Sequence, residues 1–419
     1  MKSLLLRLIN LIRTQTLKDT AIVTLGNGFS TLFSIVSIFL VARILGPAEY
    51  GLYITTWAII TIIIDSTDLA INNALVKFAS KVSDKKNSLV KYGFYLKLFL
   101  GIGLTILFAI LSRPLANWLY PDLKSPLLLA SLLIITTFMF RFPRSILQSE
   151  RKFFFDVIID VSISFLRLLA LVIFFFYFKL TVVTSLLAYL LAAFIGLIIG
   201  LNLISFKFLK AKVTLQTKKT FFHFQKWLTL GYIVAAVHGR IDSVILLKLA
   251  GPVAAGIYQA AFRFFMPFLQ LAAALSLVFA PRFAGFSDPN QTKTYLFKAF
   301  KLSLGIAVLV LFLNPLFPWL INLIFGSSYI TAIAPARILT IGFAFFIIGA
   351  PLVAHLIYSV NKTKTFFLVN IAQLILLVSL NLVLIPIYGA SGSALALTLT
   401  YILINSYLGF LAFSHHSHS

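Results

Sequence analysis

Leu45-Gly46-Pro47-Ala48-Glu49-Tyr50-Gly51-Leu52-Tyr53 returns as Ala250-Gly251-Pro252-Val253-Ala254-Ala255-Gly256-Ile257-Tyr258, with Gly251 standing 205 residues after Gly46. Each copy is a short Gly-Pro turn set between two long apolar runs. Working outward from the turns, such runs fill the chain near 20–42, 50–71, 92–112, 126–148, 155–178 and 182–205, then near 227–249, 255–280, 301–322, 336–358, 364–386 and 389–413. About twenty apolar residues in a helix cross a hydrocarbon core of about 30 Å, and only helices or closed barrels satisfy their backbone in lipid. The expectation is an all-α integral membrane protein of about twelve transmembrane helices. Composition agrees: 60% of the 419 residues are hydrophobic and 11% charged, against about 25% charged in soluble domains.

In both copies the Gly-Pro turn joins the first and second helices of a six-helix set. A weaker echo pairs Leu147-Gln148-Ser149-Glu150-Arg151-Lys152 with Ile357-Tyr358-Ser359-Val360-Asn361-Lys362. Six is even, so both copies run in the same direction, and the expected arrangement is two six-helix lobes related by a pseudo-two-fold axis along the membrane normal. The boundaries follow: an N-terminal lobe over 1–205, a basic linker over 206–226 and a C-terminal lobe over 227–419.

A net charge of +24 suggests nucleic acid in a soluble protein, but here the cations alternate from loop to loop. One set of loops, including Arg141, Arg144, Arg151, Lys152 and the lysines of 206–226, carries 25 cations, and the other set carries 6. By the positive-inside rule both termini and the linker face the cytoplasm of a multi-pass protein in the cell membrane. The basic balance then serves topology and anionic lipid, with no nucleic-acid partner. Before residue 18, Leu5, Leu8, Ile9 and Ile12 form a stripe flanked by Lys2, Arg7 and Arg13 without a small-residue cleavage site, which reads as an interfacial helix.

The run from Val41-Ala42-Arg43-Ile44 through Tyr53, followed by Asp68-Leu69-Ala70 and Ala74-Leu75-Val76-Lys77, resembles the start of the Wzx-type polysaccharide-biosynthesis flippases. Arg240-Ile241-Asp242 ahead of Gly251-Pro252 resembles the opening of their second lobe. Leu384-Ile385-Pro386-Ile387-Tyr388-Gly389-Ala390 resembles their last turn. Ala70 departs from the family's usual glycine after Asp-Leu. The resemblance covers nearly the whole chain and points to the multidrug/oligosaccharidyl-lipid/polysaccharide exporter superfamily. It implies a central cavity, alternating access and a polyprenyl-diphosphate-linked oligosaccharide as cargo, with membrane lipids, a coupling ion (H+ or Na+) and polysaccharide assembly machinery as partners. No cofactor is implied.

Ionisable groups within membrane helices cost about 2.5 to 3.5 kcal/mol each on insertion scales and tend to face an interior or a cavity. Asp65, Asp68, Lys97, Asp160, Arg167, Arg240, Asp242 and Arg263 stand within the expected spans. The arginines suit a diphosphate because their planar fork donates two hydrogen bonds and keeps its charge. Arg240, Arg263 and Arg167 are therefore the leading cargo contacts, with Lys97, Asp65, Asp68 and Asp242 as further cavity candidates. Alternatively the groups pair with one another: Asp160 and Arg167, seven apart, share a face, as do Asp65 and Asp68. His238, four before Asp242, is a candidate proton-coupling partner for it, or an interhelical hydrogen-bonding group. Asn370, Gln373 and Asn381 form a milder polar stripe that either lines a cavity or holds helices together.

Other functions carry less support. A glycan polymerase or glycosyltransferase needs external acid-base groups, and the external loops hold only Asp122 and Glu49. No phosphate-binding Gly-Lys-Ser/Thr loop occurs. His415, His416 and His418 lack the convergent framework of a metal site. Within transport, a multidrug exporter and a lipid II exporter of the same superfamily remain the alternatives.

Overall fold

The computed structural model describes residues 15–80, 86–286, 288–360 and 363–414. The proposed interfacial stripe, Lys362 and the histidine tail lie outside them. Thirteen α-helices and no strand are found among the described residues. They are α1 (Gln15–Ala79), α2 (Lys86–Leu119), α3 (Lys124–Ser149), α4 (Phe153–Tyr177), α5 (Val182–Asn202), α6 (Leu215–His238) and α7 (Ile241–Arg263). Then follow α8 (Met266–Gly285), α9 (Pro289–Leu311), α10 (Phe317–Phe325), α11 (Ile333–Tyr358), α12 (Thr363–Tyr388) and α13 (Ala390–Ser414).

Among the described residues, eleven segments are long and apolar enough to cross a membrane. One of them, Lys18–Ala79, has 62 residues, far more than a single crossing uses. It is kinked at Gly46, and Leu215–Arg263, with 49 residues, is likewise broken before Ile241 and kinked at Gly251. Large apolar side chains such as Phe99, Ile110, Phe176 and Leu309 stand exposed on helix surfaces, as lipid-facing positions do. The all-α membrane architecture expected from the apolar runs is thus observed.

The Gly-Pro motifs are single-residue kinks rather than loops. Gly46 takes φ 70°, ψ 175° inside α1, and Gly251 takes φ 79°, ψ 178° inside α7. Glycine reaches that left-handed region without a β-carbon clash. The following proline restarts the helix, since in the first turn its missing N–H has no partner to lose. Where the sequence suggested unbroken spans, the structure inserts breaks: α6 ends at His238 and α7 begins at Ile241, and a turn at Phe264–Phe265 separates α7 from α8.

The chain divides into two compact units. The first holds the described residues up to Leu45 with Thr56–Val237, and the second holds Gly46–Thr55 with the described residues from His238 onward. In the first, Phe142, Ile146, Ile159, Ile163, Ala193, Phe208 and Phe221 form one buried core. The 206–226 stretch is docked there: Ser88 Oγ donates to Lys212 O at 2.8 Å, Lys91 Nζ donates to Ala211 O at 2.9 Å, and Phe208 packs against Phe94 and Phe142. In the second unit, Phe279, Phe283, Leu296, Leu352 and Leu408 lie in the core.

Within that second unit the two Gly-Pro motifs touch each other. A β-carbon on Gly51 would stand 1.9 Å from Pro252 O, and one on Gly256 would stand 2.0 Å from Pro47 O. The contact is reciprocal, and only glycine permits it at either position.

Candidate functional site

In the first unit, four of the chain's eleven acidic residues converge with three cations. The second half of α1 presents Asp65 and Asp68 three apart, on one face as expected. Arg141 Nη1 donates to Asp65 Oδ1 at 3.0 Å and to Asp68 Oδ2 at 3.2 Å. Lys97, fully buried, places Nζ 2.5 Å from Asp68 Oδ1 and 2.6 Å from Asn72 Oδ1. Asn72 also donates to Asp68 Oδ2, and Ser145 Oγ donates to Asn72 Oδ1. Two carboxylates are thereby matched by two cations, which is how buried charges are tolerated.

One helical turn along α3, Arg144 repeats the device. Its Nε donates to Asp156 Oδ1 at 2.6 Å and its Nη1 to Asp160 Oδ1 at 2.5 Å, while Gln148 donates to Asp156 Oδ2 at 2.9 Å. Arg141 and Arg144, assigned above to a cytoplasmic loop, stand in the last turns of α3 as ligands of aspartates. A cation near the end of an apolar run serves the positive-inside pattern and a buried pair equally well. Asp160 likewise pairs with Arg144 across helices and not with Arg167 along its own.

Arg167 differs from these cations. Its Nε and Nη2 are buried and have no hydrogen-bond partner among the described residues. The guanidinium carbon lies 5.4 Å from the centre of the Tyr189 ring, and Trp57 meets the same ring edge-on at 4.4 Å. Arg167 is thus held by an aromatic face, with Nε and Nη2 uncommitted among the described residues.

In the second unit a single buried carboxylate is held by hydroxyl and backbone donors. Asp242, in the first turn of α7 where the helix dipole favours an anion, accepts from Tyr258 Oη at 2.6 Å, from Ser243 N at 2.7 Å and from Ser243 Oγ at 3.2 Å. Gln259 Nε2 donates to Ser243 Oγ at 2.5 Å. Arg240, half-buried just before α7, is in electrostatic reach of Asp242. The His238–Asp242 pair does not form: the helix breaks between them, Asp242 takes Tyr258 and Ser243, and His238 Nε2 makes no hydrogen bond among the described residues. Arg263 Nε donates to Tyr50 Oη at 3.4 Å. Asn370 and Gln373 line a cavity, whereas Asn381 is buried and donates to Leu377 O.

The family described as "Polysaccharide biosynthesis protein" matches residues 16–287. A Shigella flexneri protein named "Putative O-antigen transporter" is 24% identical over 392 residues, 90% of this chain and 93% of that protein. Among solved structures, the lipid II flippase MurJ in an inward closed conformation matches with a TM-score of 0.74 at 19% identity, over 93% of this chain and 86% of that one. An inward-facing multidrug resistance MATE family transporter of the MOP superfamily matches with a TM-score of 0.77 at 16% identity, over 93% and 95%. At such identities the two structures show a shared fold.

Proposed function

The chain belongs to the family of polysaccharide biosynthesis proteins, and we propose that it is a flippase carrying polyprenyl-diphosphate-linked oligosaccharide across the cytoplasmic membrane by alternating access. No covalent step is assigned to it. The observation that carries this reading is Arg167, a membrane-embedded guanidinium with two uncommitted donors on an aromatic support. Such a fork matches the oxygens of a diphosphate. Lys97, Asp65 and Asp68 are engaged with one another and with Arg141, so they frame the site rather than touch the cargo. Arg240 and Arg263 remain second-rank contacts. The coupling ion, H+ or Na+, is assigned to the Asp156–Arg144–Asp160 group, where two carboxylates share one guanidinium.

The remaining assignments follow the same reading. The moving bodies are taken as the lobes 1–205 and 227–419, with the 206–226 linker carried on the first. Both termini face the cytoplasm, where the basic segments meet anionic lipid and the assembly machinery. An exporter of drugs or of lipid II is the competing reading. The Shigella flexneri relative, named for an O-antigen and matched over 90% of this chain, favours the glycan.

The test is translocation of lipid-linked oligosaccharide by the reconstituted full chain. Arg167→Gln should slow it at least tenfold while unfolding at the wild-type temperature, and Arg167→Lys should retain part of the rate. Arg240→Gln and Arg263→Gln should lose less. Wild-type rates in Arg167→Gln would remove Arg167 from the cargo path. Export of a cationic drug without oligosaccharide flipping would overturn the function. Orientation is tested with single cysteines, since the chain has none. Exposed positions Ser125 and Lys218 should react with an impermeant thiol reagent before and only after permeabilisation, respectively. The reverse order would invert the topology.

A further inference from the structure

The positive-inside pattern treats every basic segment alike, but the side chains of the first unit single one out. Arg141 and Arg144 hold aspartates, Lys86 and Lys152 hold Glu150, Lys91 donates to Ala211 O, and Lys77 Nζ lies 3.9 Å from the centre of the Phe224 ring. Lys207, Lys210, Lys212, Lys218 and Lys219 are different. They stand exposed, and they enter no ion pair among the described residues. No Asp or Glu occurs between Asp160 and Asp242, so the surrounding sequence offers them no counter-charge.

Large apolar side chains stand among these lysines, turned outward. The stretch is pinned from its other side: Phe208, in the short 3-10 helix Phe206–Lys210, and Thr217 and Phe221, in α6, are buried. Ser88 Oγ and Thr217 Oγ1 lie 3.0 Å apart, and Phe221 packs on Phe78 and Tyr92. Lys218, Lys219 and Phe222 follow Leu215 by three, four and seven residues, so all four share the face of α6 opposite Thr217 and Phe221. Leu215 is 68% exposed and Phe222 60%. Phe206 and Leu209 are likewise exposed beside Lys207 and Lys210. A helix at the surface of a soluble protein turns its apolar stripe inward and its charges outward, whereas this one presents both on its outward face.

We infer that residues 206–222 form a binding surface for anionic phospholipid. Water leaves four large apolar side chains unburied, and hydrocarbon strands five ammonium groups. The headgroup layer meets both needs: Leu215, Phe222, Phe206 and Leu209 reach toward the acyl boundary, while the flexible lysine stems carry their charge to lipid phosphates. The sign of the charge selects anionic over zwitterionic lipid. Ammonium groups spread from 207 to 219 over two elements, with no carboxylate among them, suit many mobile phosphates better than one fixed protein partner.

The test uses the full chain in liposomes of phosphatidylcholine, with or without a quarter of phosphatidylglycerol. Leu215→Cys and Phe222→Cys, each the only cysteine present, carry an environment-sensitive fluorophore, and Ser125→Cys serves as an exposed control. With phosphatidylglycerol, quenching by acrylamide, a neutral aqueous quencher, should fall about threefold at Leu215→Cys and Phe222→Cys and stay unchanged at Ser125→Cys. Strong salt should reverse the shielding. Combining Lys207→Gln, Lys210→Gln, Lys212→Gln, Lys218→Gln and Lys219→Gln should abolish it while the unfolding temperature in detergent stays at the wild-type value. Equal shielding in both lipids overturns the inference in favour of apolar insertion alone. Full quenching in both overturns it in favour of a face left open for a protein. These liposomes hold no cargo and have the same lipid in both leaflets, so the outcome depends neither on the flippase reading nor on orientation.

Discussion

At Gly46 and Gly251 the backbone takes nearly the same angles, φ 70° against 79° and ψ 175° against 178°, while the side chains 205 residues apart diverge. Asp65 has Gln270 as its counterpart, Asp68 has Ala273, and Asp242 has Ser37. The repeat preserves what the chain needs to turn and pack, a left-handed glycine and a proline at a helix start. It frees positions in each copy to specialise, a shared network of ions in one unit and a single buried carboxylate among hydroxyl and amide donors in the other. Chemistry and fold thus sit on different residues of the same motif.

The largest effect that tests this contrast lies in the buried ions. Asp68→Ala leaves Lys97 and Arg141 without their shared carboxylate, and breaking a buried pair costs about 3 to 5 kcal/mol. Asp242→Asn removes a charge whose partners are a tyrosine, a serine and a helix N-terminus. Its cost should be nearer 1 to 3 kcal/mol, the range for a disturbed buried hydrogen bond. Denaturant unfolding of the two variants in one detergent measures the difference. Equal losses would show that the second unit relies on charge as heavily as the first.

A smaller and symmetric effect is expected at the interlocked turns. Gly51→Ala and Gly256→Ala each push a β-carbon into a backbone carbonyl, and overpacking of this kind costs about 1 to 3 kcal/mol. Gly46→Ala and Gly251→Ala each force alanine into the left-handed region, at about 1 to 2 kcal/mol. Within each pair the two losses should agree closely, because the surroundings repeat. A loss confined to one copy would mean that the repeat is one of sequence and not of mechanics.

The helices were legible because a twenty-residue apolar run in lipid has one solution. The breaks at Gly239–Arg240 and Phe264–Phe265 carry local marks, the polar His238-Gly239-Arg240 run with Asp242 at the first and Pro267 in the first turn of α8 at the second, which a reading by apolar runs passes over. Spacing correctly put Asp65 and Asp68 on one face, but it could not name Arg141 as their partner, because that contact crosses between helices 73 to 76 residues apart in the chain. The same limit hid the Arg144 bridge. His238 and Asp242 were paired on the assumption of a continuous helix, which the chain does not keep. The uncommitted state of Arg167 had no sequence signal, as it depends on Asp160 being taken by another residue.

The smallest effect separates burial from charge within the first unit itself. Glu150, in the turn between α3 and α4, lies 2.9 Å from Lys152 Nζ and 3.3 Å from Lys86 Nζ, with nearly a third of its side chain exposed. Partial burial works to raise its carboxyl, but the hydrogen bonds and charges of the two lysines outweigh it and hold the group below its usual range. A carboxylate depressed in the folded state adds stability above its unfolded value, about 4.3, and that contribution fades as pH falls through the lower folded value. Water screens the bridge, so Glu150→Gln should cost less than about 1 kcal/mol at neutral pH, several-fold below Asp68→Ala. At pH 3 the gap between Glu150→Gln and wild type should narrow, and at pH 7 high salt should shrink it further. A loss at pH 7 as large as that of Asp68→Ala would mean that ion pairs in this unit act through charge alone, and that the membrane interior adds nothing to what they contribute.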